Sequence, residues 1–181
     1  MDPVEISAGS LHLRPFSSGD VDAVQRACSD PDVQRWTRVR SPYTRDDAVA
    51  WVERVAPAMW ETGEGAPFAV LDATTGDLLA SVGLVRFVRP DAMAEIGYWC
   101  APEARGRGVT TQAVGAVCRW GFAALGLARV EWLAEVGNTA PRRVAEEAGF
   151  TVEGVLRGRI TGKQGLSDAW VGGLLATDRT P

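Results

Sequence analysis

Histidine is almost missing from this sequence. Among 181 residues only His12 occurs, between Leu11 and Leu13 in an alternating stretch that reads as a strand, where a structural role is expected. A Ser/His/Asp triad or a Cys/His pair would rest on it alone, and zinc would have to be held without a histidine cluster. Cysteine is also sparse. Cys28, Cys100 and Cys118 are odd in number and widely spaced, which fits neither a disulfide framework nor a CxxC metal pattern; reduced, mostly buried thiols are expected. Basic residues are not in excess: 19 Lys and Arg stand against 23 Asp and Glu, for a net charge of -4, so a general nucleic-acid binder is not expected. No apolar run approaches the roughly 20 residues that span a bilayer, and the opening "MDPVEISAGS" is acidic without a signal core. The expectation is a cytoplasmic protein with no membrane partner. These shortages leave carboxylates, backbone dipoles and a reactive cofactor as the available chemistry, with no metal.

Hydrophobic residues make up 46% of the chain and charged ones 23%, enough for one domain over 1–181 with a sizeable core. No repeat, low-complexity tract or linker interrupts it. "SLHLRPF" alternates as a first strand, and "GDVDAVQRAC" reads as a short helix. "DPDVQRWTRVRSPYT" reads as a loop carrying Trp36 and Tyr43, followed by a helix from about Arg45 to Trp60. "PFAVLDATTGDLLASVGLVRFV" has two apolar runs around a turn, the pattern of a hairpin; "MAEIGYWC" follows as another strand. Val109, Ala113, Val117, Trp120 and Ala124 recur at helical spacing up to a stop near Gly126. "RVEWLAEV" is a strand, "GNTAPRRVAEEAGF" a short helix with a glycine stop, and strands near Thr151 to Ile160 and Leu166 to Ala176 end the pattern. The order predicts an α+β fold, a mixed, mostly antiparallel sheet with helices packed on it.

From the turn after the strand ending at Cys100 into the first turn of the helix beginning at Val109 runs "EARGRGVTTQA". A helix N-terminus has unpaired N–H groups and a dipole that favours an anion. Gly106 and Gly108 permit turn geometries and close approach of phosphate oxygens to the amides, and Arg105 and Arg107 add positive charge. The spacing is neither a Walker loop nor the dinucleotide GxGxxG. A phosphate cradle is the favoured reading; solvated arginines in a surface turn are the bland one.

"AEIGYWCAPEARGRGVTTQAV", "GNTAPRRVAEEAGFTVEGVLR" and "GLSDAWVGGLLA" together resemble the GNAT superfamily of acyl-coenzyme A-dependent N-acyltransferases, in its RimJ/RimL-like branch, over nearly the whole chain. The resemblance implies a sheet with a central splay. It also implies that a Gln/Arg-x-x-Gly-x-Gly/Ala loop holds the coenzyme A pyrophosphate, here through Arg105, Gly108, Val109 and Thr110 with Gly106 and Arg107 between. Thr110 departs from the usual small residue. The strand before the loop would pair its backbone with the pantetheine arm at Trp99, Cys100 and Ala101, one N–H polarising the thioester carbonyl; their side chains read as core. Asn138 matches a cofactor-contacting residue and is equally a plausible N-cap.

Attack by an ammonium needs a base. Alternation puts Glu95 on one strand face with Met93, Gly97 and Trp99, a row that would desolvate its carboxylate and tune it toward base work. It matches a strand glutamate used in several GNAT enzymes; the alternative is an exposed residue or one paired with an arginine. The positions that match the family's proton donor hold Pro141 and Ala145, which cannot donate, and Tyr98 points to the opposite face. Two functions follow: an N-acetyltransferase acting by direct attack in a ternary complex on a protein N-terminus or small-molecule amine, or a noncatalytic acyl-coenzyme A binding or sensor module. Glu95 favours the first. The cosubstrate is acetyl-coenzyme A or another acyl-coenzyme A, and a succinyl donor would need a cation such as Arg86 or Arg89. Trp36 and Tyr43 are expected walls of the acceptor pocket, the acidic balance suits a cationic acceptor, and a homodimer is left open.

Overall fold

The computed structural model describes residues 1–163 and 165–178. Its framework is an eight-stranded sheet in the order β1-β2-β3-β4-β5-β6-β8-β7, formed by β1 (Ile6–Ala8), β2 (Leu11–Arg14), β3 (Gly65–Asp72), β4 (Leu78–Val88), β5 (Met93–Cys100), β6 (Arg129–Glu135), β7 (Thr151–Gly162) and β8 (Gly165–Leu175). Every neighbouring pair is antiparallel except β5 with β6. That single parallel pair needs a crossover, supplied by α5 (Val109–Leu125).

Period-2 burial decides which residues face which side. In β6, Val130, Trp132 and Ala134 are buried on one face, where they join Leu13, Phe68, Leu84, Ile96 and Leu174 against Val114 and Val117 of α5. Gly121 lets that helix come close: a Cβ there would lie 3.0 Å from Leu84 Cδ1 and 3.1 Å from Leu127 Cδ1. Short α6 (Thr139–Glu147) buries Ala145 in the same layer. The opposite layer comprises α1 (Val21–Cys28), α2 (Pro31–Trp36) and α3 (Arg45–Ala50), which pack Val24, Val33 and Ala48 around Phe16 and Leu71. From α3 the helix continues through a π turn, Trp51–Val55, into α4 (Ala56–Thr62), and stops at Gly63 in the left-handed conformation. No helix among the described residues is long and apolar enough to cross a membrane.

The segment expected to be a loop contains α2. Asp30 accepts from the amides of Asp32 and Val33, both at 3.1 Å, and Pro31 occupies the first turn; an N-cap and a pre-set φ make a helix of six residues possible. Ala124, expected on the buried stripe of α5, is exposed, because the helix turns Val114 and Gly121 inward instead.

One buried charge anchors the α1 end. Asp20 is 5% exposed and takes a fork from Arg14, 2.8 Å to each oxygen, plus the Ser17 amide at 2.7 Å. Burial alone pushes Asp20 up, but Arg14 and Ser17 outweigh it and hold it below its ordinary 3.8. A lowered folded value stabilises the fold fully above the unfolded value, and this contribution disappears as pH falls through the folded one. Asp20→Asn is expected to cost on the order of 2–3 kcal/mol in urea unfolding at neutral pH and to flatten the loss of stability below pH 3.8.

Candidate active site

The parallel pairing of β5 with β6 ends at Ile96 opposite Trp132, yet β5 runs on to Cys100 and β6 to Glu135. The two strands therefore separate toward their C-terminal ends. Ladder phase shows which backbone groups face the gap. Ala101 donates to the Leu79 carbonyl of β4 at 2.9 Å, and in an antiparallel ladder alternate residues point the same way. Trp99 and Ala101 are thus turned toward β4, whereas Tyr98 and Cys100 present N–H and C=O to the splay. Of the expected trio Trp99, Cys100 and Ala101, only Cys100 has its backbone in the gap, and Tyr98 joins it. The Trp99 side chain packs on the α1–α3 layer.

Beyond β5 the chain passes a short turn and reaches Gly106 and Gly108, both left-handed at φ 73° and 72°, with nothing within 4 Å of an added Cβ. Among the described residues the amides from Gly106 to Thr111, Val109 and Thr110 included, make no well-aligned hydrogen bond, and Gln112 is the first to do so, to Gly108 at 3.0 Å. Six adjoining N–H groups at the start of a 17-residue helix form a concavity suited to an anion. Arg105 is committed elsewhere, to Asp30 and, at 3.3 Å, to Asp32, which ties the loop to the N-terminus of α2. Burial raises Asp30, but Arg105 and the α2 amides hold it below the usual carboxylate range. Arg107 is 3.9 Å from Asp72 and 52% exposed in its side chain, so it can swing. Thr110 is buried beside the Cys100 thiol, facing the core and leaving the cradle uncrowded. Asn138 heads α6, but its side chain makes no capping bond.

Glu95 lies on the sheet face that carries α1 to α3, opposite Val85 in register. The row is not apolar: Arg86 Nη1 donates to Glu95 Oε2 at 2.8 Å. Regular alternation would send Arg86 to the other face. Two residues, Arg86 and Phe87, instead stand against Ala94 alone, and Arg86 adopts φ 52°. This bulge re-aims the guanidinium, and a non-glycine residue in that region marks strain of the kind found at functional sites. Nothing in sequence periodicity signals such a bulge.

Tyr98 lies on the other face, where its hydroxyl donates to the Pro141 carbonyl at 2.7 Å. Burial pushes its phenol well up, so it keeps its proton and acts as a strut between β5 and α6. Ala145 is fully buried. The outer cysteines are core residues, with burial pushing both Cys28 and Cys118 to about 12; His12 pairs with Glu5 near the far edge of the sheet.

A cleft of about 440 Å³ lies between α2, the following loop, the end of β6 and the β7–β8 hairpin, with Trp36, Glu135 and Lys163 in its lining. Trp36 therefore faces a cavity, whereas Tyr43 packs in the core layer against Cys28. Because α2 carries Asp30 at one end and Trp36 at the other, it links the glycine loop to this cleft. A second cleft of about 370 Å³, around Pro15, Phe16 and Trp60, lies on the β2 side, away from the splay.

Comparison with known proteins agrees with this arrangement. Residues 10–151 match the family model described as the acetyltransferase (GNAT) domain. The uncharacterized N-acetyltransferase YoaA of Bacillus subtilis (strain 168) is 28% identical over 147 residues, 81% of this chain and 82% of the relative. Mycobacterium smegmatis RimJ in complex with CoA-disulfide superposes with a TM-score of 0.84 at 20% identity, over 98% of this chain and 90% of that one. The ribosomal-protein-S5-alanine acetyltransferase of Vibrio fischeri does so with a TM-score of 0.82 at 18% identity, over 98% and 100%. The shared family model, together with a splayed parallel pair leading into a glycine loop and helix, places this chain in the GNAT acetyltransferase family.

Proposed function

We propose that the chain transfers an acetyl group from acetyl-coenzyme A to a primary amine by direct attack in a ternary complex. The observation that carries this reading is the continuity of two sets of unpaired backbone groups, the Tyr98 and Cys100 edge of the splay and the amides from Gly106 to Thr111. The first suits a pantetheine arm lying like a strand, the second a pyrophosphate. Acetyl-coenzyme A supplies an acyl group activated as a thioester. Tyr98 or Cys100 N–H would stabilise charge on the carbonyl oxygen, and the free amide of Asn138 would hold the arm. Arg86 engages Glu95 Oε2, fixing the carboxylate while Oε1 remains available to accept the acceptor's proton, directly or through water. Trp36 lines the acceptor cleft. The acceptor is a protein N-terminus or a small-molecule amine.

The decisive test incubates purified protein with acetyl-coenzyme A and an amine panel and follows free thiol. Thiol release that requires an amine supports the transferase. Tight coenzyme A binding with no release across a broad panel supports instead a noncatalytic binding module, the reading that the non-donating Pro141 and Ala145 would favour.

A further inference from the structure

The cleft beside the splay holds three charged side chains, and among the described residues none has an opposite charge within 4.0 Å: Arg35, Lys163 and Glu135. The neighbouring carboxylates differ. On the same sheet face Glu95 is paired with Arg86 and Glu131 with Arg129, and at the start of α2 Asp30 and Asp32 hold Arg105. Counterions are thus assigned around the cleft and missing inside it.

Each charge is nevertheless positioned. Arg35 lies over the Trp36 ring, 4.6 Å from its centroid, a cation–π contact that occupies none of its five N–H donors with an opposite charge and leaves them for a planar anion. The Lys163 ammonium donates to the Val39 carbonyl, which tethers the β7–β8 hairpin to the loop after α2 and leaves two of its three donors. Glu135 lies against the hairpin backbone: a Cβ at Gly162 would lie 2.8 Å from its Oε2, so Gly162 makes that position possible. Glu135 also follows Glu131, the register partner of Glu95, along the same face of β6. It therefore lies at the cleft end of β6, on the sheet face that also carries Glu95.

Two cations and one anion give the cleft a net positive charge within a chain of net charge -4. We infer that the acceptor is an amine that carries its own carboxylate, with the carboxylate held by Arg35 and Lys163 and the ammonium end turned to Glu135, on the sheet face that carries Glu95. This reverses the expectation of a cationic acceptor drawn from overall charge, because local charge governs recognition in a cleft. Amines with several positive charges meet repulsion there. The inference rests on the N-acetyltransferase reading and names its substrate class.

The experiment compares γ-aminobutyrate, γ-aminobutyramide and putrescine, which share an amine and a similar length but differ at the far end. Thiol release with acetyl-coenzyme A should give a kcat/KM for the carboxylate about 10–100-fold above the amide, the scale of a charge-assisted hydrogen bond, with the diamine lowest. Arg35→Gln and Lys163→Gln, at exposed positions that leave folding intact, should each erase most of that preference by raising KM for γ-aminobutyrate, with KM for acetyl-coenzyme A unchanged. Putrescine as the best acceptor, or a carboxylate preference untouched by both variants, overturns the inference. Should no amine release thiol, the transferase reading fails separately. Calorimetric binding of γ-aminobutyrate to the protein, weakened by Arg35→Gln or indifferent to it, then decides the inference by itself.

Discussion

Glu95→Gln is expected to lower turnover near neutral pH by ~10²–10⁴-fold, the usual scale of a positioned general base, while coenzyme A affinity stays unchanged. Glutamine keeps the shape of the side chain and can still accept from Arg86, so the strand and its bulge should persist. Part of the rate should return at high pH, where the acceptor amine is already neutral and needs no base. Arg86 supplies an internal control. Arg86→Gly removes a left-handed penalty of ~1–2 kcal/mol and a partly exposed ion pair worth less than that, so thermal stability should hold or rise. Turnover should fall regardless, because Glu95 loses the group that fixes it, and Arg86→Lys should restore part of it. Wild-type turnover in Glu95→Gln, with chemistry shown to be rate-limiting, would place the base elsewhere. Unchanged turnover in Arg86→Gly would make the bulge a structural feature only.

The ion pair also shows where reading the sequence stops. Strand alternation put Glu95 on the correct face with Trp99, since period 2 is a local property. Arg86 escaped because a bulge shifts phase by one residue, and its cause lies in the pairing of β4 with β5 rather than in either strand. The same limit explains the backbone assignment in the splay. Whether Trp99 or Cys100 turns its N–H to the gap depends on ladder phase, which the Ala101–Leu79 bond reveals and the order of residues does not. The glycine loop was legible for the opposite reason: left-handed turns and a helix start are local, and "RGRG" before a helical stripe announces both. Helix α2 was missed although its signals, Asp30 before Pro31, were present; two prolines within fifteen residues outweighed a cap. The cleft beside α2 lay beyond reach, because Arg35, Glu135 and Lys163 come together only through the docking of the β7–β8 hairpin on the loop after α2. Tyr43, expected beside Trp36 as a pocket wall, shows the reverse error, since an aromatic in a polar loop gave no sign that Cys28 lay beneath it.

Gly108→Val should weaken coenzyme A binding by about 10–100-fold, the effect of losing a charge-assisted hydrogen bond or two. In the free protein a Cβ at this position meets nothing within 4 Å, so a packing penalty is not expected. The fold is burdened only by φ 72°, worth roughly 1–2 kcal/mol for a residue with a Cβ. That open space is where an anion must come to reach the amides from Gly106 to Thr111, and a branched side chain there keeps the oxygens at a distance. Gly76 separates strain from obstruction. It has φ 77° and equally open surroundings but sits in the β3–β4 turn, so Gly76→Val should lose similar stability while binding coenzyme A like wild type. Calorimetry with coenzyme A and with the dephosphorylated pantetheine arm extends the comparison, because only the pyrophosphate contribution should vanish in Gly108→Val. Equal affinities in Gly108→Val, Gly76→Val and the unaltered protein would remove the glycine loop from the cofactor site.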